Sequence, residues 1–264
     1  MQNIIRTVYL DQINNLFEKQ IIILLVGLRR VGKSTIMQQC IQQKHIKDSS
    51  ILYVPLEQFD FLHIRKREDL IQYLRDHNIE SIQYLCIDEI QLVSGREEVI
   101  NGVYTSYPDI NIILTGSNSD LLSTEIATGL RGRVYQIYVY PFDLAEYASL
   151  YKKKTDHNTL LALLQGTGLP LVYRFDDTAY MIQELVNTIF LKDIVERYTI
   201  RDVDLLRSIF SFIVSNAGNI TNLAKIAAHL TQIGFNINLN TIGNYVEYLK
   251  NSLLVHECSL YDIQ

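Results

Sequence analysis

The chain has 264 residues, of which 48% are hydrophobic and 20% charged, and its formal net charge is −5. This composition is typical of a globular protein of one or two domains, and the negative charge argues against a surface that binds nucleic acid by charge alone. Three widely spaced cysteines, Cys40, Cys86 and Cys258, indicate neither a disulfide framework nor a zinc site and fit a reducing compartment. We find no signal peptide and no run of ~20 apolar residues, so we expect a cytoplasmic protein without a membrane partner.

The first chemically informative segment is IIILLVGLRRVGKSTIM, at residues 21–37. Its apolar half predicts a strand buried on both faces, and the residues after Ser34 place Ile36 and Met37 on one face of a helix. Residues 27–34 between them satisfy G-x-x-x-x-G-K-S/T, in the strand–loop–helix context that this phosphate-binding motif requires. The alternative is the same strand, turn and helix without a ligand.

The motif gives each part of this loop a chemical role. Glycines let the backbone wrap around phosphate, while the loop N–H groups and the helix N-terminus attract the anion. We expect Lys33 to reach the β- and γ-phosphates and the Ser34 hydroxyl to bind Mg²⁺. The expected nucleotide-binding residues of the loop are Gly27, Leu28, Arg29, Arg30, Val31, Gly32, Lys33, Ser34 and Thr35.

A second buried strand is predicted at residues 82–87, directly before Asp88 and Glu89. Ligands bind at the carboxyl ends of the strands in an open α/β sheet. Asp88 is suited to hold Mg²⁺ through water and Glu89 to polarise the attacking water, although an acidic pair can also simply cap a loop. A GTPase would be expected to show an N-K-x-D motif, which we do not find, and a small-molecule kinase does not usually need a glutamate after the aspartate. The pair therefore favours an ATPase.

A third apolar strand ends in the polar residues Thr115, Ser117 and Asn118. A polar side chain here can contact the γ-phosphate or the attacking water, and ordinary turn chemistry explains the same residues equally well. Candidate strands alternate with helical patterns, which predicts an α/β fold with a parallel sheet and helices on both faces. These candidate strands lie at residues 22–26, 51–56, 82–87, 111–115 and 134–139.

The C-terminal part has the succession of predicted helices and strand that is typical of a winged helix. Helices are predicted at residues 203–216, 221–234 and 240–254, the last of them capped by Asn240. A strand is predicted at 255–263, and since no returning strand follows it, we expect residues 255–264 to fray or to pair with another copy. The third helix offers Lys250 against Glu247, too few cations for phosphate contacts, so protein contact is favoured over DNA reading.

Four segments, GLRRVGKST, CIDEIQ, LTGSNSDLLSTEIATGLRGRVYQIYVYPFDLAEY and GTGLPLV, together resemble the AAA-like ATPase family of bacteria and archaea. The resemblance covers nearly the whole chain. Members of this family carry a P-loop domain, a helical segment, a winged helix and often a nuclease-like C-terminal domain. The resemblance implies the strand order 5-1-4-3-2, and we expect a P-loop domain at 1–141, a lid-like helical subdomain at 142–201 and an incomplete winged helix at 202–264.

The resemblance also implies roles for residues outside the loop. It implies that Arg133 senses or neutralises the γ-phosphate, with Arg131 as its competitor and a solvated surface arginine as the alternative. The segment GLPL is similar to an element of STAND-type ATPases and implies that Pro170 packs against adenine, whereas the alternative is a helix-ending glycine followed by proline. The segment FLKDIVERY matches the family without a chemical role that we can assign, and an amphipathic helix explains it.

The sequence thus predicts a Mg²⁺-dependent ATPase that binds ATP or ADP. Its predicted catalytic residues are Lys33, Glu89, Thr115 and Arg133, and its predicted metal ligands are Ser34 and Asp88. The alternatives are a nucleotide-gated adaptor that holds ADP tightly and turns over rarely, and a DNA-binding regulator. The expected partners are a protein client, which the sequence does not identify, and a further copy of the chain.

Overall fold

The computed structural model describes residues 4–43, 47–117, 130, 132–175 and 177–258. The chain divides into two compact units, Met1–Met181 and Ile182–Gln264. The three-part division at residues 141 and 201 that the sequence suggests stays a prediction. Within the described ranges, no helix is long and apolar enough to cross a membrane.

The first unit is built on a five-stranded parallel sheet. Its strands are β1 (Ile22–Val26), β2 (Ile51–Pro55), β3 (Tyr84–Asp88), β4 (Asn111–Gly116) and β5 (Val134–Tyr138). Their order, β2-β3-β4-β1-β5, is the predicted order read from the other edge, so the predicted α/β fold class is confirmed. The interior strand β1, which lies between β4 and β5, is buried at all five residues, as expected for a strand covered on both faces.

The register aligns the carboxyl ends of three neighbouring strands. In β1, Leu25 pairs with Thr115 of β4, and Val26 pairs with Tyr138 of β5. In β3, Ile87 pairs with Leu114 of β4. The residues that follow β1, β3 and β4 therefore emerge side by side, at what we call the carboxyl edge of the sheet.

Helices follow or precede the strands of the first unit. They are α1 (Thr7–Asn14), α2 (Lys33–Gln43), α3 (Arg67–Asp76), α4 (Arg96–Ser106), α5 (Leu144–Tyr151), α6 (His157–Gln165) and α7 (Thr178–Thr188), which contains the boundary between the units. Helix α5 begins with a capping box in which the Asp143 side chain accepts from the Glu146 N–H. This cap holds the start of α5 close to the exit of β5.

The second unit is helical in its described part. A π-helix (Ile189–Glu196) continues α7 and is followed by α8 (Val203–Ser215), α9 (Leu223–Gln232) and α10 (Leu239–Asn251). Their buried apolar residues form one core, made of Phe190, Ile194, Leu205, Leu206, Ile209, Ile226, Leu230, Ile242 and Leu249. The predicted cap of the last helix is wrong by two residues. Asn238, in extended conformation, accepts from the Thr241 N–H and starts the helix before Asn240.

The predicted C-terminal strand is absent from its described part. Residues 255–258 belong to no strand, because the described part of this unit contains no other strand to supply hydrogen-bond partners. The remainder of that prediction, from residue 259, lies outside the described residues. The predicted winged helix is thus represented by three helices, and the wing stays a prediction.

Candidate functional site

The loop at residues 27–32 joins β1 to α2 at the carboxyl edge of the sheet, and the last two residues of the motif, Lys33 and Ser34, begin that helix. A Cβ at Gly27 would lie 2.3 Å from the carbonyl oxygen of Val139, so only glycine fits at this position. Gly32 has a φ of +100°, and Arg30 has a φ of 65°, both in the left-handed region. These two turns bend the backbone into the wrapped shape that the phosphate-binding motif requires.

Lys33 is the first residue of α2, and its side chain reaches back into this loop. Its side chain is 4% exposed, and its Nζ donates to the carbonyl oxygens of Gly27 (2.9 Å) and Leu28 (3.1 Å). Burial lowers the pKa of Lys33, and the neighbouring carboxylates of Glu89 and Asp88 oppose that effect. A desolvated ammonium group held in this way attracts a phosphate more strongly than a hydrated one does.

Asp88 gathers hydroxyl groups from three elements. Its Oδ1 accepts from the Ser34 hydroxyl at 2.9 Å and from the Thr115 hydroxyl, and its Oδ2 lies 3.5 Å from the hydroxyl of Tyr53. Burial raises the pKa of Asp88, while the hydrogen bonds from Thr115 and Ser34 lower it. Burial and the Asp88 carboxylate raise the pKa of Tyr53 to about 12. The structure thus brings together the two predicted metal ligands, Ser34 and Asp88.

These two side chains fit Mg²⁺ by their chemistry. Mg²⁺ prefers oxygen ligands, and it commonly binds through one or two protein groups plus water and substrate phosphates. Across the described residues, no group of three or more His, Cys, Asp or Glu side chains could hold a metal by itself. The Ser34 hydroxyl and the Asp88 carboxylate lie 2.9 Å apart. They are oxygen ligands of the kind that Mg²⁺ takes while it keeps several bound waters.

Glu89 follows β3 and is held in a left-handed conformation, with a φ of 59°. Its side chain is buried, and its Oε1 lies 3.9 Å from the Lys33 Nζ. Its N–H donates to the Thr115 hydroxyl at 2.9 Å. A hydroxyl has one hydrogen, which Thr115 donates to Asp88, so Thr115 orients the acidic pair in this structure. The predicted contact between Thr115 and phosphate stays a prediction.

Gln91, the last residue of the DEIQ segment, has no role in the sequence analysis. It lies in the short turn Ile90–Leu92, and its Nε2 donates both to Glu89 Oε2 and to the Ser117 hydroxyl, the latter at 3.1 Å. The sequence signal that could have indicated a role for Gln91 is its position, a polar side chain two residues after Glu89. Asn118, the third candidate after β4, lies outside the described residues.

Arg133 lies at the other end of the sheet from the loop. It directly precedes β5, and its carbonyl accepts from the N–H of Ile22 at the start of β1. β5 has five residues, so Arg133 is separated from the carboxyl edge by about 16 Å. Its guanidinium bonds to Asn101 and lies 5.4 Å from the ring centroid of Tyr104. Arg133 thus lies away from Lys33 and Glu89 of its own chain, and its predicted role at a γ-phosphate, as well as the alternative of a surface arginine, stays a prediction. Arg131 lies outside the described residues.

The other predicted loop residues surround this centre. Arg29 forms an ion pair with Glu57 at 3.4 Å, whereas Arg30 and Thr35 are exposed and Val31 is buried. Pro170 lies beside the loop, since a Cβ at Gly32 would lie 3.8 Å from its Cγ. The predicted contact between Pro170 and adenine stays a prediction.

Sequence analysis also assigns no role to Arg6, which is 3% exposed in the structure. It binds the carboxylate of Glu146 with two hydrogen bonds of 2.8 Å. It also donates to the carbonyls of Val31 (3.1 Å) in the loop and Tyr140 (2.9 Å) after β5. Arg6 therefore ties the loop to the start of α5. No local pattern could have predicted this, because Arg6 is separated from Glu146 by 140 residues.

Comparisons with known proteins agree with this geometry. Residues 19–148 match the family model of the AAA domain, and residues 163–263 match a domain family of unknown function. An uncharacterized protein of Haemophilus influenzae is 31% identical over 269 residues, covering 97% of this chain and 66% of that protein. An uncharacterized protein of Methanocaldococcus jannaschii is 29% identical over 246 residues, covering 88% of this chain and 55% of that protein. The chain thus spans between 55% and 66% of the length of these two relatives.

Among solved structures, AMPPCP-bound DnaA from Aquifex aeolicus has a TM-score of 0.43 and 15% identity, over 97% of this chain and 90% of that chain. Cdc6p from Pyrobaculum aerophilum also has a TM-score of 0.43, with 11% identity over 93% of this chain and 85% of that chain. Such distant likeness supports no statement about activity. The family match and the geometry of the site support a nucleotide-binding function of the ATPase type. Residues 19–148 therefore belong to the AAA domain family, whose members are AAA-like P-loop ATPases.

Proposed function

We propose that this protein binds ATP together with Mg²⁺ and hydrolyses the bond to the γ-phosphate. One observation carries the proposal. Lys33 and Ser34 come from one segment of the sequence and Asp88 and Glu89 from another, and they meet at the carboxyl edge in two pairs, Lys33 with Glu89 at 3.9 Å and Ser34 with Asp88 at 2.9 Å. Each has the chemistry that its part in phosphoryl transfer to water demands.

The chain's own residues divide the work. Lys33 and the loop N–H groups bind the phosphates, and Ser34 and Asp88 hold Mg²⁺, which neutralises charge on the phosphate oxygens. Glu89 accepts a proton from the attacking water, and its left-handed backbone, braced by Thr115, fixes the direction of its carboxylate. We further propose that Arg133 acts on the nucleotide of a second copy and that nucleotide state moves the helical segments against a protein client.

A second candidate is an adaptor that holds ADP and turns over rarely. It is favoured by the contacts of Glu89, because one carboxylate oxygen faces Lys33 and the other accepts from Gln91. A base engaged on both oxygens reacts slowly until one contact is released. The DNA-binding regulator gains no support, since Lys250 is paired with Glu247 and Glu257 at 2.7 Å each. For location we propose the cytoplasm, which suits the buried thiols Cys40 and Cys86.

The test compares the wild type with Lys33→Ala and, as a matched control, with Lys19→Ala, an exposed lysine just before β1. We expect the wild type to bind a fluorescent ATP analogue and to release phosphate only with Mg²⁺ present. Lys33→Ala should lose detectable binding because it removes the buried cation of the loop, and Lys19→Ala should behave as wild type. Unchanged affinity in Lys33→Ala would contradict the proposal. Slow phosphate release together with ADP that copurifies with the protein would select the adaptor.

A further inference from the structure

The turn after β3 carries a side chain that joins two strands of the site. Gln91 lies in Ile90–Leu92, and its Nε2 donates one hydrogen to Glu89 Oε2, at the end of β3, and the other to the Ser117 hydroxyl, just after β4. Glu89 and Ser117 are both buried, the latter 3% exposed. Gln91 is thus the side-chain bridge between the proposed base and the polar residue that follows β4.

The carboxylate determines how the Gln91 amide is oriented. The opposite orientation would place Oε1 against Glu89 Oε2, and two acceptors repel each other. Oε1 is buried and has no hydrogen-bond partner in the described part of the chain. Leaving a buried acceptor unpaired costs free energy, so the contact with Glu89 outweighs that cost.

This orientation also fixes the polarity of Ser117. Because Nε2 donates to the Ser117 oxygen, that hydroxyl accepts from Gln91 and keeps its own hydrogen for another acceptor. Thr115 differs, since its hydrogen is donated to Asp88. Of the two described hydroxyls at this end of β4, those of Thr115 and Ser117, the Ser117 hydroxyl is therefore the one that can donate to a phosphate oxygen or to the attacking water.

We propose that Gln91 is a positioning residue that sets the Glu89 carboxylate as acceptor and the Ser117 hydroxyl as donor toward the same reacting water. The inference rests on the proposed ATPase function. Gln91 holds Oε2, while Oε1 faces Lys33 at 3.9 Å. When a phosphate draws the Lys33 ammonium toward itself, Oε1 becomes the oxygen that receives the proton of the water.

The experiment measures kcat and ATP affinity for Gln91→Met, which keeps the side-chain length but loses both donors. The matched control is Gln72→Met, an exposed residue of α3. We expect Gln91→Met to lower kcat by about 10- to 100-fold, as misplacement of a catalytic group does, with the ATP Kd unchanged within about twofold. Gln91→Glu keeps the side-chain shape but repels Glu89, so its kcat should fall by a similar factor. The kcat of Gln72→Met should equal that of the wild type.

A double-mutant cycle separates positioning from a general structural effect. If Gln91 acts through Glu89, Gln91→Met in a Glu89→Gln background should lower the single-turnover rate no further. Ser117→Ala, a smaller change, should lower kcat in the wild type and have less effect beside Gln91→Met. If Gln91→Met unfolds, Gln91→Glu, which keeps the side-chain shape, replaces it in both double-mutant comparisons.

Three results would overturn the role of Gln91. These are a wild-type kcat in Gln91→Met, a weaker ATP affinity with unchanged kcat, or the same loss of rate with and without Glu89. The wild type in the same assay reports on the proposed function separately. A wild type that neither binds nor cleaves ATP overturns both proposals, whereas an active wild type beside an equally active Gln91→Met overturns only this one.

Discussion

The carboxyl edge of the sheet, where its strands end, and the amino edge, where they begin, contain similar types of residue. These residues differ in burial and in their contacts. At the carboxyl edge, the polar side chains of Lys33, Glu89, Thr115 and Ser117 are buried and linked across strands. At the opposite, amino edge, the polar residues that precede strands are exposed or half-buried, including Lys19, Gln20, Glu80 and Arg133. Burial and connection, rather than residue type, distinguish the two edges.

The difference teaches where charge does chemical work in this fold. An exposed charge is screened by water, whereas a buried charge acts on its neighbours at low dielectric and costs free energy unless it is paired. Lys33 and Glu89 meet this cost by facing each other at 3.9 Å. We therefore expect substitutions at the carboxyl edge to have large effects on function and identical substitutions at the amino edge to have small ones.

The largest effect is expected from Glu89→Gln, because an amide cannot accept the proton of the attacking water. Hydrolysis should fall by about 10²- to 10⁴-fold while ATP binding is kept. Single-turnover phosphate release and equilibrium binding measure the two quantities. Glu80→Gln, an exposed glutamate before β3, is the control at the amino edge and should change neither. If both variants lost the same activity, or if Glu89→Gln lost binding instead, the contrast between the edges would fail.

A large effect on stability is expected from Arg6→Met. The substitution leaves Glu146 partly buried without its cation and removes two donors to backbone carbonyls. Breaking a buried ion pair in this way costs about 3 to 5 kcal/mol, which urea unfolding would measure. Arg75→Met, on the exposed face of α3, should cost almost nothing. Equal stability of the two variants would mean that the Arg6 contacts contribute nothing net, and Arg6→Met with Glu146→Leu should recover part of the loss.

The smallest effect is expected from Arg133→Ala. Because Arg133 lies at the amino edge, ATP affinity should be unchanged, and turnover should fall only where copies of the chain contact each other. Mixing Arg133→Ala with Lys33→Ala protein should then restore part of the activity, measured over a range of ratios. A loss of turnover that no mixture restores would instead point to an effect transmitted through Asn101 and Tyr104 within one subunit.

The sequence predicts the sheet and the centre of the site well. The strands are short apolar runs with no competing helical pattern, and the loop motif carries its own chemistry, so β1, Lys33, Ser34 and the acidic pair fall where expected. The position of Arg133 could have been deduced as well, because a residue before a parallel strand must lie at the amino edge. The predicted role of Arg133 at a γ-phosphate stays a prediction.

Other features depend on contacts that no local pattern encodes. Arg6 acts across 140 residues, and Tyr53 reaches Asp88 only because β2 and β3 are neighbours. The bridge by Gln91 arises from the turn that brings its amide back over Glu89. The start of α10 at Asn238 rather than Asn240 reflects two asparagines two residues apart, either of which can cap a helix.

The close approach of Gly27 to Val139 has a consequence for how variants of this motif are interpreted. A methyl group at residue 27 would collide with the backbone beyond β5, so alanine there would displace the edge strand of the sheet. In a mutational scan, loss at Gly27 would therefore report on the attachment of an edge strand, whatever the protein binds. Loss at Lys33, whose backbone has no such constraint, would report on the nucleotide. Two positions of one motif, six residues apart, thus measure different properties of the molecule.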